Sequence, residues 1–442
     1  MPIQLPSFKS PSFPADKHGW AELLPPRKAT RALFGNHRYK WTIVGAGFTG
    51  LSCAYKLAEL HPNDKILLLD ARQVGQGASG RNSGFAVATS HFSGGYERDK
   101  TPLYLRTLRI NKTGLNLLSS FITKHQINCD WEDSGFHHTA ADSKALAEHT
   151  FFQKYLDTLQ IPHTTLGRDE LTNRLGTSHY QAGIHVHQGA LMQPATLVYG
   201  LANNLPKNVT LAENTPVLKI KTQKHPTLIL PKGEVKTDTL ILAVNYEAAK
   251  LGFLRNKLVG STLSGSFSRK LSNEELATLG TLKQWGVLSL HGGGATVRLT
   301  NDGRVCLRNT AQYHGGKLLD SKTIAKRQII HKTSFDKRFP QLAHIPFEYS
   351  WSGVEGITFN GTNFFGKQAE NIFLAGGYNG SGVSRGTSFG RAIAEYASNI
   401  PSDLVDDCSV LAPASFVPPR PFLDIGAALT VRSRFKGVGL DR

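Results

Sequence analysis

No stretch of this 442-residue chain is apolar over the length needed to cross a bilayer, which takes about 18–20 residues. The first ten residues lack the apolar core of a secretory signal. Cysteine is scarce: four, at 53, 129, 306 and 408, with no C-x-x-C pair and no histidine at zinc-ligand spacing. That pattern argues against a disulfide framework or a structural zinc site and points to a reduced, cytoplasmic setting. No Ser-His-Asp ordering and no cluster of metal-ligating residues stands out, so neither a hydrolytic triad nor a bound metal is expected. Acidic residues are also in short supply, 33 against 51 basic ones, for a net charge of +18. Such an excess raises nucleic acid and anionic membranes as partners. The basic residues are scattered, without a basic–aromatic repeat or RNA-binding signature. A solvated basic surface that draws in an anionic cofactor or substrate is therefore expected, and a nucleic-acid partner is not.

What is present begins at 41–70. Ile43 and Val44 end a short β-branched run that predicts a buried strand. Gly45, Gly47 and Gly50 then form G-x-G-x-x-G, and Leu51, Ala54, Tyr55, Leu57 and Ala58 recur at helical spacing. Ile66 to Leu69 predict a second buried strand, ending in Asp70, 20 residues after the third glycine. Strand, glycine turn, helix, strand and acid together are the dinucleotide-binding fingerprint. Gly45 permits the tight turn, Gly47 lets a pyrophosphate approach the backbone, and Gly50 packs helix on sheet. A carboxylate at Asp70 suits a ribose and disfavours the 2′-phosphate of NADP. Two further segments share this chemistry. Residues 77–84 read Gly-Ala-Ser-Gly-Arg-Asn-Ser-Gly, and a strand at 371–375 leads through Gly376-Gly-Tyr-Asn-Gly-Ser-Gly382 into a helix.

These segments, with Trp351-Ser-Gly353, resemble the FAD-dependent D-amino-acid oxidase superfamily, and within it the amine-oxidising branch typified by γ-glutamylputrescine oxidoreductase. The resemblance implies an α/β fold: a glutathione-reductase-like Rossmann FAD domain with an inserted α+β substrate domain built on an antiparallel sheet. It implies that Gly45, Gly47, Phe48, Thr49 and Gly50 hold the pyrophosphate, and that Asp70 holds the adenosine ribose, with Ala71 and Arg72 beside the adenine. Val217 matches a position whose backbone contacts the adenine. Gly77, Ala78, Ser79, Arg81, Asn82 and Ser83 would line the pyrophosphate, ribityl chain and flavin. Gly377, Gly380, Ser381, Gly382 and Val383 would bring N–H donors at a helix start to the flavin's N1–C2=O edge. Relatives that bind FAD covalently carry a histidine where this chain has Arg81-Asn82, and His91 fits that place poorly. Non-covalent FAD is expected.

The implied layout is an arm over 1–40; a discontinuous FAD domain over 41–95, 180–250 and 355–400; a substrate domain over 96–179 and 251–354; and a tail over 401–442. The implied reaction oxidises a CH–NH bond of an amine or amino acid by hydride transfer to flavin N5, with oxygen or a quinone as acceptor. Trp351, Tyr378 and Trp285 are candidate pocket walls, each also fitting plain core packing. Arg308 and Arg385 are candidate anchors for a substrate carboxylate, because a guanidinium binds that group bidentately. His291, His314 and Tyr313 sit near glycine turns, and nothing marks one as a base. The tail carries an apolar stripe beside Arg432, Arg434 and Lys436. It suits either a docked terminal helix or peripheral contact with an anionic inner membrane. Two alternatives stay open: a flavoprotein of the same fold acting on a non-amine substrate or tethered group, and a basic RNA-acting flavoprotein.

Overall fold

The computed structural model describes residues 17–89 and 97–442. His37–Val44 and Ile66–Leu69 pair in parallel, and Ile66 to Leu69 are wholly buried. Burial on both faces is why these strands read as unbroken apolar runs. Val209–Ala212 extends the parallel sheet on one side of the pair. Gly233–Leu242 and Ile372–Gly376 extend it on the other, and Phe364–Ala369 closes that edge antiparallel. Lys219–Lys221 and Thr227–Leu230 hang from Gly233–Leu242 as an antiparallel branch.

Two helices from opposite ends of the chain pack together over this sheet: Phe48–Leu60 and Ser384–Ala397. The approach is close. A β-carbon at Gly390 would lie 2.2 Å from the Thr49 carbonyl oxygen, and Ser52 Oγ donates to Thr387 O at 2.7 Å. The sequence motif at 371–396 thus returns to the motif at 41–70 across more than 300 residues.

The second sheet runs in the order Phe347–Ile357, Val259–Ser268, Val305–Tyr313, Thr296–Leu299, Trp285–Ser289, Phe136–Ala140, Ala182–Val186, His163–Gly167. It is antiparallel except where Trp285–Ser289 runs parallel to Phe136–Ala140. Rossmann-type sheet and antiparallel sheet are the two halves expected. The seams differ from the expected ones: Ala182–Val186 pairs in the second sheet, antiparallel to both Phe136–Ala140 and His163–Gly167. Phe347–Ile357 likewise carries the second sheet two residues past 355. Residues 17–24 do not lie loosely over the body: Trp20, in the short helix Gly19–Glu22, is fully buried.

In the tail, Asp403–Ser409 and Phe422–Lys436 are helical. Phe422, Ile425 and Leu429 are exposed, whereas Val438 and Asp441 are buried. Among the described residues no helix is long and apolar enough to cross a membrane, and no group of His, Cys, Asp or Glu is placed to hold a metal ion. The four cysteines are buried free thiols, and burial raises the pKa of each.

Candidate active site

Three loops open onto one cavity of about 1870 Å³. The first follows His37–Val44. Gly45 sits at φ +104°, where a side chain would be strained. Gly50 does not line the cavity. It lets the helix start lie on the loop, since a β-carbon there would meet Gly45 O at 1.7 Å. Asp70 closes the loop from the neighbouring strand, accepting from Ala46 N at 2.8 Å and Arg72 N at 2.9 Å. Burial raises its pKa, and those two amide bonds pull it back down. Each oxygen keeps a lone pair beyond its amide bond, and Asp70, Ala71, Arg72 and Val217 all line the cavity.

The second loop spans 75–84 and lies across the first. Ser79 Oγ accepts from Phe48 N at 3.1 Å, and a β-carbon at Gly47 would stand 2.7 Å from that oxygen. Gly77, Ala78, Ser79, Arg81, Asn82 and Ser83 line the cavity. The Arg81 side chain is buried and turned into the protein: Nε donates to Gln76 O at 2.9 Å and Nη1 to Ser352 O at 3.1 Å. Asn82 folds back on its own loop, donating to Ser79 O at 2.7 Å and accepting from Gly84 N at 2.9 Å. His91 lies outside the described residues.

The third loop joins Ile372–Gly376 to Ser384–Ala397. Gly380, Ser381, Gly382 and Val383 line the cavity at this helix's N-terminus, where free N–H groups favour an anion. Gly377 stands behind them at φ +75°, and its N–H donates to Asn245 Oδ1 at 2.9 Å. Tyr378 is buried. Its hydroxyl and Thr49 Oγ1 are 2.8 Å apart, tying the third loop to the first.

Two helix N-termini, glycines that admit close approach and a ribose-type carboxylate therefore share one elongated cavity. That set fits FAD: the helix starts suit the pyrophosphate and the electron-rich flavin edge, and Asp70 suits the ribose.

Beyond the loops the cavity runs under the second sheet. Trp351 lines it but is fixed by packing on Phe267 and by donating from Nε1 to Arg81 O at 3.1 Å. Arg308 lines it from Val305–Tyr313. Its Nη2 donates to Thr296 Oγ1, burial lowers its pKa, and Glu355 opposes that shift. Arg385 also lines the cavity. It is nearly inaccessible, lowered to about 10 by burial, and donates to Asn111 Oδ1 at 3.1 Å. His291 reaches the cavity, whereas His314, Tyr313 and Trp285 do not line it. Trp285 packs instead with Phe339 in the core of the second half.

The structure adds residues that sequence reasoning missed: Tyr104, Tyr155, His138, Thr296 and Glu355 also face the cavity. They come from separate helices and strands. Neither the helical spacing around Tyr104 and Tyr155 nor the strand alternation around His138, Thr296 and Glu355 says which face meets a ligand.

The sequence pattern of the DAO family, described as FAD dependent oxidoreductase, matches residues 40–396. The chain belongs to that family. Its relatives include the gamma-glutamylputrescine oxidoreductase of Escherichia coli (strain K12), 26% identical across 80% of this chain and 82% of that protein. A probable oxidoreductase, OrdL, of Haemophilus influenzae is 25% identical across 80% and 81%. Among solved structures, glycine oxidase from Geobacillus kaustophilus superposes with a TM-score of 0.72 at 18% identity, covering 83% of this chain and 96% of that one. L-proline dehydrogenase from P. horikoshii gives 0.68 at 15%, covering 84% and 96%. The fold is thus that of DAO-family flavoproteins, and the chain is an FAD-dependent oxidoreductase.

Proposed function

We propose that this DAO-family enzyme oxidises a CH–NH bond of an amine or amino acid, with FAD bound non-covalently by the three loops in the roles assigned from sequence. The observation that carries the substrate reading is Arg308. Its guanidinium faces the cavity beyond the flavin loops, and its hydrogen bond among the described residues goes to a neutral hydroxyl. That leaves a cation suited to a carboxylate. The E. coli relative, named for γ-glutamylputrescine, supports an amine at the reacting end. FAD held by the three loops would supply a hydride acceptor, and loss of hydride from the α-carbon of the neutral amine would leave an imine that water splits into a carbonyl product and ammonia or an amine.

Arg308 and Glu355 would orient a substrate carrying both charges. Tyr104, Tyr155 and Trp351 would keep the amine end dry, which favours the neutral amine over the ammonium form. Arg385 serves less well as an anchor, because it is nearly inaccessible and Asn111 and the Tyr378 carbonyl already take two of its donors. The reduced cofactor would be reoxidised by oxygen or a quinone. If the acceptor is a membrane quinone, the exposed Phe422, Ile425 and Leu429 would make peripheral contact with lipid, and flotation with anionic liposomes tests this.

A second reading has its own observation. A glycerophosphate oxidase from Mycoplasma pneumoniae superposes with a TM-score of 0.67, so the same fold serves a substrate oxidised at carbon–oxygen. Anaerobic mixing with amines, amino acids, γ-glutamyl polyamines and 2-hydroxy acids separates the two. Flavin bleaching by nitrogen compounds alone supports the proposal, and bleaching only by hydroxy acids overturns it. Repetition in air identifies oxygen as acceptor or rules it out.

A further inference from the structure

Three carbonyl groups of the loop 75–84 are each held by an N–H donor from outside it. Trp351 Nε1 donates to Arg81 O at 3.1 Å, Trp20 Nε1 to Asn82 O at 2.7 Å, and Arg298 Nη1 to Gly84 O at 2.9 Å. Trp20 stands apart from the other two donors. It precedes the first strand and lies outside the span 40–396 that matches the family; like Arg298, it does not line the cavity.

Trp20 is nevertheless 1% exposed. Its ring stands edge-on to Phe267 at 4.7 Å, and the Arg298 guanidinium lies 5.3 Å from it. Its own carbonyl accepts from Gln193 Nε2 at 2.8 Å. Gly19 makes room for this packing: a β-carbon there would fall 2.5 Å from the Phe267 ring and 2.6 Å from the Trp351 ring. His18, buried beside Gly75 and Arg81, is held neutral by burial and by the guanidinium, at a pKa of about 3. The helix Gly19–Glu22 has four residues and is too short to be stable alone. Its position is explained by what it holds.

A trans peptide points its N–H opposite its C=O. Holding Asn82 O toward Trp20 therefore turns the Ser83 N–H the other way, and Ser83 lines the cavity. Among the described residues no backbone acceptor meets that N–H. FAD filling this cavity would exclude water from that N–H, and a donor so buried requires a partner.

We propose that Trp20 is a cofactor-positioning residue: its indole N–H orients the 82–83 peptide so that the Ser83 N–H meets an acceptor on bound FAD. This rests on the FAD placement proposed above. Trp20 touches neither cofactor nor substrate and acts through the peptide, which makes the segment 18–24 part of the flavin site from behind.

Trp20→Phe keeps the ring and deletes the donor. With FAD removed and added back, the variant is expected to bind FAD about tenfold more weakly than the parent. The midpoint potential of its bound flavin is expected to fall, since a donor to the reduced ring is misaligned. Unchanged affinity and potential, with only a lower melting temperature, would overturn the proposal. Hydrogen exchange on the unaltered protein does not depend on the variant folding. FAD is expected to raise protection at 18–24 together with 79–84. Protection at 79–84 with 18–24 unchanged would refute the role of Trp20 alone. No bound flavin and no protection at either segment would refute the FAD placement itself.

Discussion

At the nucleotide end of the cavity the lining is mostly backbone, whereas at the far end it is mostly side chains. Asp70 accepts from two amides, Ser79 from the Phe48 N–H, and Tyr378 shares a bond with Thr49. What this end offers a ligand is mostly backbone, at two helix starts. At the far end Arg308, Glu355, His291 and Tyr104 present side chains from four separate elements. A ligand common to a whole family is bound by geometry that glycines make possible. A ligand particular to one enzyme is bound by side chains that vary without disturbing the backbone.

The sharpest test of this contrast lies among the glycines. Gly50→Val places carbon against Gly45 O, where even a β-carbon would sit at 1.7 Å. The protein should purify without flavin, or insoluble, at a cost of about 3 kcal/mol or more. Gly426→Ala, in the tail helix and outside the cavity lining, meets nothing within 4 Å and should retain full flavin content. Equal loss in both would break the idea that close backbone approach defines this end.

At the far end, Arg308→Met should leave flavin content unchanged. It should raise KM for a carboxylate-bearing substrate about 100-fold, equivalent to about 3 kcal/mol. Steady-state kinetics checks it, and a loss of flavin instead would move Arg308 to the cofactor end.

The next effect belongs to the tail. Asp441 is buried in the second half, and its pKa is raised to about 6 by burial. Its folded value lies above the unfolded one, so the stability tied to its protonated form is present below about pH 4. That stability is lost as pH rises to about 6, amounting to about 2–3 kcal/mol. Denaturation at pH 4, 5, 6 and 7 should show this decline, and Asp441→Asn should flatten it.

A smaller effect is expected at Tyr378→Phe. It removes the bond to Thr49 and should cost about 1 kcal/mol of stability with kcat unchanged. A large drop in kcat would make the hydroxyl a participant in the chemistry. Acid precipitation should release the yellow chromophore, because Arg81-Asn82 stands where a covalent histidine would be; a yellow pellet would overturn non-covalent attachment.

Local rules account for what could be read ahead of the fold. Glycine spacing, two buried strands and Asp70 follow from a turn, a helix start and a parallel sheet that together tolerate few alternatives. The return of the chain to this domain at 371–396 was legible for the same reason, whereas the antiparallel sheet was implied by the family resemblance. The seam at Ala182–Val186 was not, since a five-residue apolar strand fits either sheet until pairing decides. Trp351 and Tyr378 were legible as large residues near glycine motifs. That their polar atoms are occupied by Arg81 O and Thr49 required three dimensions.

By itself, then, the sequence determined the strand–glycine–helix turn of a dinucleotide-binding fingerprint, because that geometry is encoded within about 30 consecutive residues. Only the tertiary structure decided which side chains share the far end of the cavity, and that Trp20 holds the Asn82 carbonyl of the loop 75–84. Arg308 and Glu355 are 47 positions apart, and Trp20 and Asn82 are 62. No local rule of spacing couples residues so distant; only the packing of sheet, loop and helix brings them together.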